Sequence, residues 1–382
     1  MVRAIRYSGI LCLALATLFI WSVLPARATG SLPRRHGDGI EEPPTAYEHP
    51  QRLVSLPDGR RINMFCTGNG TPVVIMEAGG GEDSLTFRRL QPRVASVTRV
   101  CSYDRAGLGF SDPAGAPNTA AHIVADMHAM IASAGIVGSV VLVGHSNGGL
   151  YARLYASIFP DEVAGMVMID PNSVGLNRDA EAALDGDQRK AWRASDREDY
   201  AQARRCLELA RSGSLARKPA SYPQCTDEPA TPGLGLHRVL DEQLSRPSYE
   251  EALYSEVLDT HPQEGGGLSM AEVAVGGKAF DFADKPFIVV SGTNEQGGLP
   301  ARQRAKVIKA MLANQRDLAS HSSQGRQVLV NVSSEDIQLT HPGLVAKEIA
   351  SVINQIRGPT LPEPHVGAGR ARDASRAAKS TP

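Results

Sequence analysis

The chain has 382 residues, of which 42% are hydrophobic and 21% charged, and its formal net charge is −1. This length allows one large domain with an insertion, or two domains, and the composition is that of a globular protein. Because neither sign of charge dominates, the composition gives no indication of a protein that binds nucleic acid.

The N-terminal segment has the pattern of a secretory signal peptide. Arg3 and Arg6 precede the apolar run Ile10–Leu24, and the small-residue cleavage pattern Ala26–Ala28 follows it. We therefore expect residues 1–28 to be removed, and the mature protein to be secreted or periplasmic with no attachment to the membrane. The alternative is an uncleaved N-terminal membrane anchor, for which the apolar run is slightly short.

Export would place the cysteines in an oxidising compartment. Four of them follow residue 28, and an even number in such a compartment predicts two disulfides. The alternative is four free, buried thiols. The four residues are Cys66, Cys101, Cys206 and Cys225.

The first elements of the mature chain are strands. Residues 29–50, rich in Pro, Gly and charged residues, are predicted to form a flexible linker. A hairpin follows, in which the turn Pro57–Gly59 separates the strand sequences RLVSL and RINMFC. The continuous apolar run Pro72–Glu77 then predicts a buried strand, which leads into the glycine turn Gly79–Gly81.

From this turn to Asp170, apolar strands alternate with amphipathic helices. The alternation predicts a mostly parallel sheet with helices on both faces. We predict helices around residues 85–96, over 119–134 and from Gly149, and strands over 98–104, 139–144 and 164–170.

The alternation stops after Asp170 and resumes more than a hundred residues later. Residues 171–285 are polar, helical in places and broken by Pro and Gly, which indicates an insertion into the core formed by residues 51–170 and 286–357. Residues 358–382 have no periodicity and are predicted to form a disordered tail. The remaining core elements are a strand over 286–292, a helix over 300–318, a strand over 327–332 and a helix over 344–356.

The pentapeptide GHSNG, Gly144–Gly148, stands between the strand sequence SVVLV and the helical sequence LYARLYASIF. A G-x-S-x-G turn in this context is typical of a nucleophile elbow, in which Ser146 adopts a strained conformation with its hydroxyl exposed. The glycines permit the sharp turn, and the following helix directs its positive N-terminal end at the serine oxygen. The alternative is a glycine-rich turn with an incidental serine.

Three motifs follow one another along the chain: CTGNGTPVVIMEAG (Cys66–Gly79), RVCSYDRAGLGFSD (Arg99–Asp112) and GHSNGG (Gly144–Gly149). Together they resemble the motifs of exported bacterial α/β-hydrolases, and the resemblance extends from about Leu53 to Ile356. It implies an α/β fold with a mostly parallel eight-stranded sheet flanked by helices. Residues 171–285 would then form a largely helical cap.

The resemblance also implies how the cysteines pair. In this fold the second and fourth strands are neighbours, which would place Cys66 beside Cys101. Cys206 and Cys225 both fall in the cap, where we expect them to form the second disulfide.

The mechanism that the resemblance implies is attack by Ser146 on a small acyl substrate, after a base has taken the proton of its hydroxyl. The resulting oxyanion would be bound by the backbone N–H groups of Asn147 and Gly80. Because Ser stands where dehalogenases and epoxide hydrolases of this fold have Asp, those two chemistries are disfavoured. The sequence has no metal cluster, phosphate-binding loop or redox motif, so we expect no cofactor.

Two residues are candidates for the acid that orients the base. Asp170 ends the strand that follows the elbow helix, whereas Glu295 follows the next strand, where the family usually has its aspartate. Either carboxylate could hold a histidine and stabilise its cation, and the sequence does not favour one over the other.

The base departs from the family pattern, which has a histidine seven residues before a proline. The matching run VSSEDIQLTHP, Val332–Pro342, has Glu335 at that position, and a glutamate with an ordinary pKa of about 4.3 is a weak base for a serine. His341, the nearest histidine in the same loop, is the candidate base. His321 is a poorer candidate, and His145 is expected to belong to the structure of the elbow.

Two functions therefore stay open. The first is a secreted serine hydrolase that cleaves an ester, lactone or amide bond through an acyl-enzyme on Ser146. The second is a catalytically impaired homologue that binds a small ligand or a partner, because Glu335 occupies the place of the family's histidine. The elbow glycines and both oxyanion elements favour the first.

Overall fold

The structure is organised around one eight-stranded sheet. The computed structural model describes residues 41–226, 235–262, 267–293, 299–332 and 334–358. The strands are β1 (Leu53–Ser55), β2 (Arg61–Thr67), β3 (Val74–Glu77), β4 (Val100–Tyr103), β5 (Val140–His145), β6 (Val163–Ile169), β7 (Phe287–Gly292) and β8 (Gly325–Val330). They lie in the order β1-β2-β4-β3-β5-β6-β7-β8, and β2 is antiparallel to both of its neighbours while β3 to β8 are parallel to one another.

The helices of the described residues fall into core helices and helices of the insertion. The core helices are α1 (Gln91–Ala95), α2 (Ala120–Ser133) and α3 (Asn147–Ile158), followed after the insertion by α11 (Ala301–Ala319), α12 (Ile337–Thr340) and α13 (Pro342–Arg357). The insertion contains α4 (Leu176–Ala182), α5 (Gly186–Arg211), α6 (Ser214–Arg217), α7 (Pro223–Thr226), α8 (His237–Leu244), α9 (Pro247–Thr260) and α10 (Met270–Gly276). Short 3-10 turns lie at Pro44–Tyr47, Ser84–Phe87, Pro160–Glu162 and Pro219–Ser221.

Both faces of the sheet are covered, as the apolar strands predicted. Every residue of β3, β4, β5 and β7 is buried. On one face Met127 of α2 and Tyr151 of α3 join the apolar cluster that contains Leu142 of β5. On the other face Val94 of α1 and Ile349 of α13 join a second cluster. The predicted fold class, a mostly parallel sheet between two layers of helices, is confirmed.

The parallel strands bring distant parts of the chain to one edge of the sheet. Strands β5, β6, β7 and β8 end at His145, Ile169, Gly292 and Val330, and all four run in the same direction. The residues that follow these strands therefore meet at the carboxyl edge, where α/β folds place their ligands.

The insertion between β6 and β7 is helical in its described part, and α5 and α9 pack side by side within it. Both expected cysteine pairs lie at disulfide distance. Cys66 of β2 faces Cys101 of β4 as its direct partner in the sheet register. Cys206 of α5 and Cys225 of α7 are fully buried, with 5.6 Å between their Cα atoms.

The structure differs from the sequence predictions in two places. Residues 41–50 were predicted to be part of a flexible linker, but Tyr47 is buried with its ring edge-on to Phe65, and Glu41 accepts a hydrogen bond from Arg88. The helix predicted around residues 85–96 is divided into a 3-10 turn and α1, because Pro92 at the start of α1 has no N–H to continue the preceding turn.

Several predictions fall on residues outside the described ranges. The signal peptide over residues 1–28, most of the linker and all but the first residue of the predicted tail are among them. None of the helices in the described ranges combines the length and the hydrophobicity that a bilayer span requires.

Candidate active site

Ser146 lies between the end of β5 and the first residue of α3, with φ 49° and ψ −121°. This is a strained conformation that residues other than glycine seldom adopt. The glycines on either side are required by close contacts. A Cβ on Gly144 would lie 2.6 Å from the carbonyl oxygen of Gly148, and one on Gly148 would lie 2.5 Å from the carbonyl oxygen of Glu77. The turn thus has the geometry of a nucleophile elbow.

The backbone of Ser146 is fixed by hydrogen bonds on both sides. Its N–H donates to the carbonyl oxygen of Ile169 at 3.1 Å, and its own carbonyl accepts from the N–H groups of Gly149 and Asn172, both at 2.9 Å. The side chain is half-buried at the carboxyl edge of the sheet. These bonds offset the strain at Ser146 and fix the residue at the carboxyl edge of the sheet.

The two predicted oxyanion donors are adjacent. A Cβ on Gly80 would lie only 2.6 Å from Nδ2 of Asn147, so the glycine loop and the start of α3 are in close contact. In the glycine loop the N–H groups of Gly79 and Gly81 donate to Glu82 and Glu256. Within the described ranges the N–H groups of Gly80 and Asn147 have no acceptor. Two free N–H groups beside a serine are the arrangement that an oxyanion requires.

A buried ion-pair network positions the glycine loop. The guanidinium of Arg105 donates to Glu77 at 2.8 Å and to Glu256 of α9 at 2.9 Å, and all three side chains are at most 2% exposed. It also donates to the carbonyl oxygens of Ala78, at 2.8 Å, and Gly79, at 2.5 Å. Because these bonds are charge-assisted, they hold the loop more firmly than neutral hydrogen bonds would.

A second buried ion pair joins His145 to Glu82, at 2.9 Å between Nδ1 and Oε2. Burial alone would lower the pKa of His145, but the carboxylate of Glu82 outweighs it and raises the pKa to about 9. Burial likewise opposes ionisation of Glu82, but the His145 cation lowers its pKa to about 2. His145 is therefore protonated at neutral pH and has no lone pair for the proton of Ser146, in line with the structural role expected for it.

Glu82, His145 and Asp336 lie within 4.8 Å of one another, a spacing that would suit a metal ion. Metal ions bind neutral imidazole, whereas His145 is protonated and its Nδ1 donates to Glu82. The ion pair accounts for the contact between Glu82 and His145, and Asp336 adds a second carboxyl beside it.

Of the two candidates for the acid, the structure describes only Asp170. Asp170 follows the last residue of β6 with φ 41°, and its Oδ1 accepts a hydrogen bond from Nε2 of Gln315 at 2.9 Å. Its N–H donates to the carbonyl oxygen of Val290 at 2.7 Å, which fixes it at the carboxyl edge of the sheet. Glu295 lies outside the described residues.

The candidate base His341 caps the N-terminus of α13 and is exposed. Its Nδ1 lies 3.1 Å from the hydroxyl of Thr340, and the hydrogen bonds of the described residues do not connect its ring to Ser146. His321 precedes β8, at the edge where the parallel strands begin, and its ring contacts the backbone of α11. It lies at the opposite end of the strands from Ser146. The assignment of His341 stays a prediction.

Glu335, at the family's histidine position, lies beside the elbow. Its carbonyl oxygen is 3.3 Å from Nε2 of His145, the residue that precedes the nucleophile. Burial raises the pKa of the Glu335 carboxyl to about 7; the His145 cation lowers it, and the carboxylates of Asp336, Glu82 and Asp170 raise it further. The carboxylate of Glu335 is therefore a stronger base than that of a glutamate with an ordinary pKa.

The insertion contributes residues that the sequence patterns did not single out. The hydroxyl of Thr260, the last residue of α9, accepts a hydrogen bond from Nδ2 of Asn147 at 3.3 Å. The adjacent His261 is held by the carbonyl of Val257, 3.1 Å from its Nδ1, and burial lowers its pKa to about 4. Because α9 begins a hundred residues after the elbow, no local motif connects Thr260 to Ser146.

Known proteins resemble parts of this chain. An uncharacterized protein of Schizosaccharomyces pombe is 35% identical over 164 residues, which are 35% of this chain and 31% of that protein. An AB hydrolase superfamily protein of Gibberella zeae is 29% identical over 105 residues, 26% of this chain and 33% of that protein. The chain thus spans about a third of the length of these relatives.

A solved structure has the same fold. The crystal structure of AncHLD2, a putative ancestral haloalkane dehalogenase, aligns with 80% of this chain and 99% of its own, with a TM-score of 0.57 and 17% sequence identity. At this identity the likeness extends to the fold alone. The sequence profile described as the alpha/beta hydrolase fold matches residues 72–297, which is more than half of the chain. The chain belongs to the α/β-hydrolase family.

Proposed function

We propose that the protein is a serine hydrolase that cleaves an ester, lactone or amide bond through an acyl-enzyme on Ser146. The observation that carries this proposal is the strained Ser146 beside two N–H groups, of Gly80 and Asn147, that have no acceptor among the described residues. A strained backbone and unpaired, at least partly buried donors both reduce stability, and a catalytic role accounts for the two together.

The reaction would proceed in two halves. Attack of Oγ on the acyl carbon forms a tetrahedral intermediate whose oxygen accepts from the N–H groups of Gly80 and Asn147. Loss of the alcohol or amine leaves the acyl group on Ser146, and water then releases it as a carboxylic acid. The ion pairs of Arg105 support this function because they keep the glycine loop in place before substrate binds.

The activation of Ser146 is open to a direct test. The order of residues along the chain supports His341 as the base, with Asp170 or Glu295 as the acid. The exposed position of His341 does not support it. Full ester turnover in His341→Ala would remove this residue from the mechanism.

Export is part of the proposal. It is supported by the signal-peptide pattern of residues 1–28 and by two cysteine pairs at disulfide distance, since disulfides persist in oxidising compartments. Secretion would be measured by N-terminal sequencing of the mature protein, which we expect to begin after Ala28.

A fluorophosphonate probe tests the proposed reaction. Such probes phosphonylate serines that are activated and have an oxyanion hole, so we expect covalent labelling of the mature protein and none of Ser146→Ala. The matched control is Ser157→Ala, a hydroxyl on α3 that bonds within its own helix. Equal labelling of wild type and Ser146→Ala would contradict the proposal.

The second candidate function is binding without catalysis. It is favoured by one observation: in the described residues no imidazole is hydrogen-bonded to Ser146. A folded protein that shows no labelling at any pH from 5 to 9, yet binds small acyl compounds in calorimetry, would favour this alternative.

A further inference from the structure

We propose that the carboxylate of Glu335 is the general base of this site, taking the proton of Ser146 in place of the family's histidine. The inference rests on the proposed serine hydrolase function and names the residue that activates the nucleophile. It follows from the position of Glu335 beside the elbow. It also follows from the contacts that the candidate imidazoles make with residues other than Ser146.

The backbone holds Glu335 beside His145, the residue that precedes the nucleophile. The residue lies in the loop between β8 and α12, at the carboxyl edge of the sheet where Ser146 and Asp170 also lie. The hydrogen bond from Nε2 of His145 to the carbonyl oxygen of Glu335 ties this loop to the residue that precedes Ser146. The sequence register with the family, read from Ile337 to Pro342, places the same residue at the position of the base.

Four imidazoles, those of His145, His261, His321 and His341, have contacts away from the hydroxyl of Ser146. His145 is paired with Glu82, His341 is exposed beside Thr340, and His321 lies at the opposite edge of the sheet. His261 lies near Asn147 through its neighbour Thr260, but its Nδ1 is bound to the carbonyl of Val257 and its Nε2 lies 3.9 Å from Asp199. None of these contacts directs a basic nitrogen at Ser146.

The surroundings of Glu335 favour proton uptake. The charged groups that interact with its carboxyl are the His145 cation and the carboxyls of Asp336, Glu82 and Asp170. Uptake of a proton changes Glu335 from an anion to a neutral acid, which relieves its repulsion with three carboxyls. Burial acts in the same direction and brings the pKa of Glu335 to about 7, where a base is both available and strong enough to act.

Each proton released and each bond broken is accounted for in both halves of the reaction. The proton of Ser146 moves to the Glu335 carboxylate as the bond from Oγ to the acyl carbon forms and the carbonyl π electrons move to oxygen. When the intermediate collapses, the bond to the leaving group breaks and the leaving group takes the proton from Glu335. Water then gives a proton to Glu335 as it attacks the acyl-enzyme, and Ser146 regains that proton when the acid leaves.

The experiment compares fluorophosphonate labelling rates at Ser146 across pH 5 to 9 in the full mature chain. Wild type should label fully above pH 7 and lose about tenfold in rate per pH unit below it, following the pKa of about 7. Glu335→Gln, which conserves shape, should label at least 100-fold more slowly at pH 8 with no pH dependence in this range. Glu335→His should restore labelling, with its midpoint moved to the pKa of the new imidazole.

The matched control is Glu251→Gln on the exposed side of α9, which should label as wild type does. Labelling of Glu335→Gln at the wild-type rate would overturn the proposal and leave the serine hydrolase intact. Loss of labelling in His341→Ala or His261→Ala together with its retention in Glu335→Gln would do the same and assign the base to that histidine. Absence of labelling in wild type itself would instead contradict the proposed function.

Discussion

Two groups of charged side chains lie next to the elbow, and they differ in the ratio of cations to carboxyls. In the group around Arg105, one guanidinium faces two carboxylates, and each carboxylate also accepts from further donors such as Tyr103 and Asn118. In the group around His145, one imidazolium interacts with the three carboxyls of Glu82, Glu335 and Asp336, and the carboxyl of Asp170 adds to the negative charge around Glu335. The side chains of the first group are fully buried, whereas Glu335 and Asp336 are half-buried.

The difference in charge ratio indicates that the two groups have different roles, one structural and one in proton uptake. In the Arg105 group both carboxylates accept from the guanidinium and from a further neutral donor, so the group holds the glycine loop and α9 in one geometry. The His145 group has more carboxyls than its one cation can satisfy, so a proton is readily taken up there near neutral pH. The following changes test this division, from the largest expected effect to the smallest.

Arg105→Met should destabilise the protein by about 3–5 kcal/mol, because it leaves Glu77 and Glu256 charged, buried and unpaired. Urea unfolding would measure the change. Arg211→Met is the matched control, since its pair with Glu251 is exposed and exposed pairs contribute under about 1 kcal/mol. Similar losses in the two variants would show that the Arg105 group has no special structural role.

Gly80→Ala should lower the fluorophosphonate labelling rate about 100-fold, because the new Cβ would displace Asn147 and disturb both oxyanion donors. Gly186→Ala, at a helical position with open space around its Cβ, serves as the control and should label normally. An unchanged rate in Gly80→Ala would remove the glycine loop from the oxyanion site.

The His145 pair should make stability depend on pH. The folded-state pKa of His145, about 9, lies above its usual 6.5, so its contribution is complete below pH 6.5 and is lost as pH rises through about 9. For Glu82 the pKa of about 2 lies below 4.5, so its contribution is lost as pH falls towards 2. We expect the free energy of unfolding to fall by about 3 kcal/mol between pH 6 and pH 10.

The double variant Glu82→Gln with His145→Gln removes both charges together. It should show a flatter dependence of unfolding free energy on pH over the same range. An identical pH dependence in wild type and double variant would mean that the pair is not ionised as described.

Glu335→Gln should have the smallest effect on stability, and it should be stabilising. The raised pKa of Glu335 means that the folded state binds a proton which the unfolded chain has released, so stability decreases as pH rises from about 4.5 to 7. Because Glu335 is partly exposed to solvent, the increase in the free energy of unfolding at pH 8 is limited to about 1 kcal/mol. Thermal unfolding at pH 4.5 and pH 8 would detect it, and a loss of stability at pH 8 would assign Glu335 a structural role.

The fold could be predicted because its signals are local. The continuous apolar strands β3 to β7 and the glycines around Ser146 follow from short-range rules of burial and turn geometry, and the family motifs identify the same elements. The pairing of Cys66 with Cys101 followed from the strand order that the resemblance implied.

The rest of the site depends on contacts between distant residues. Glu82 meets His145 across 63 residues, and Thr260 meets Asn147 across 113. The basicity of Glu335 is a property of its burial and of the charges around it, which come from three other parts of the chain. From the sequence alone, only the ordinary pKa of a glutamate can be assigned to Glu335. For that reason the sequence predicted His341 as the base.

Helix α9 has a consequence for how substrate enters. Three of its residues hold the glycine loop and the start of α3: Tyr249 donates to the carbonyl of Gly81, Glu256 accepts from the N–H of Gly81, and Thr260 accepts from Asn147. A cap that opened by swinging α9 outward would dismantle the oxyanion site at the moment a substrate arrived. The α9 helix is therefore expected to stay in place as a fixed wall of the proposed site when substrate enters.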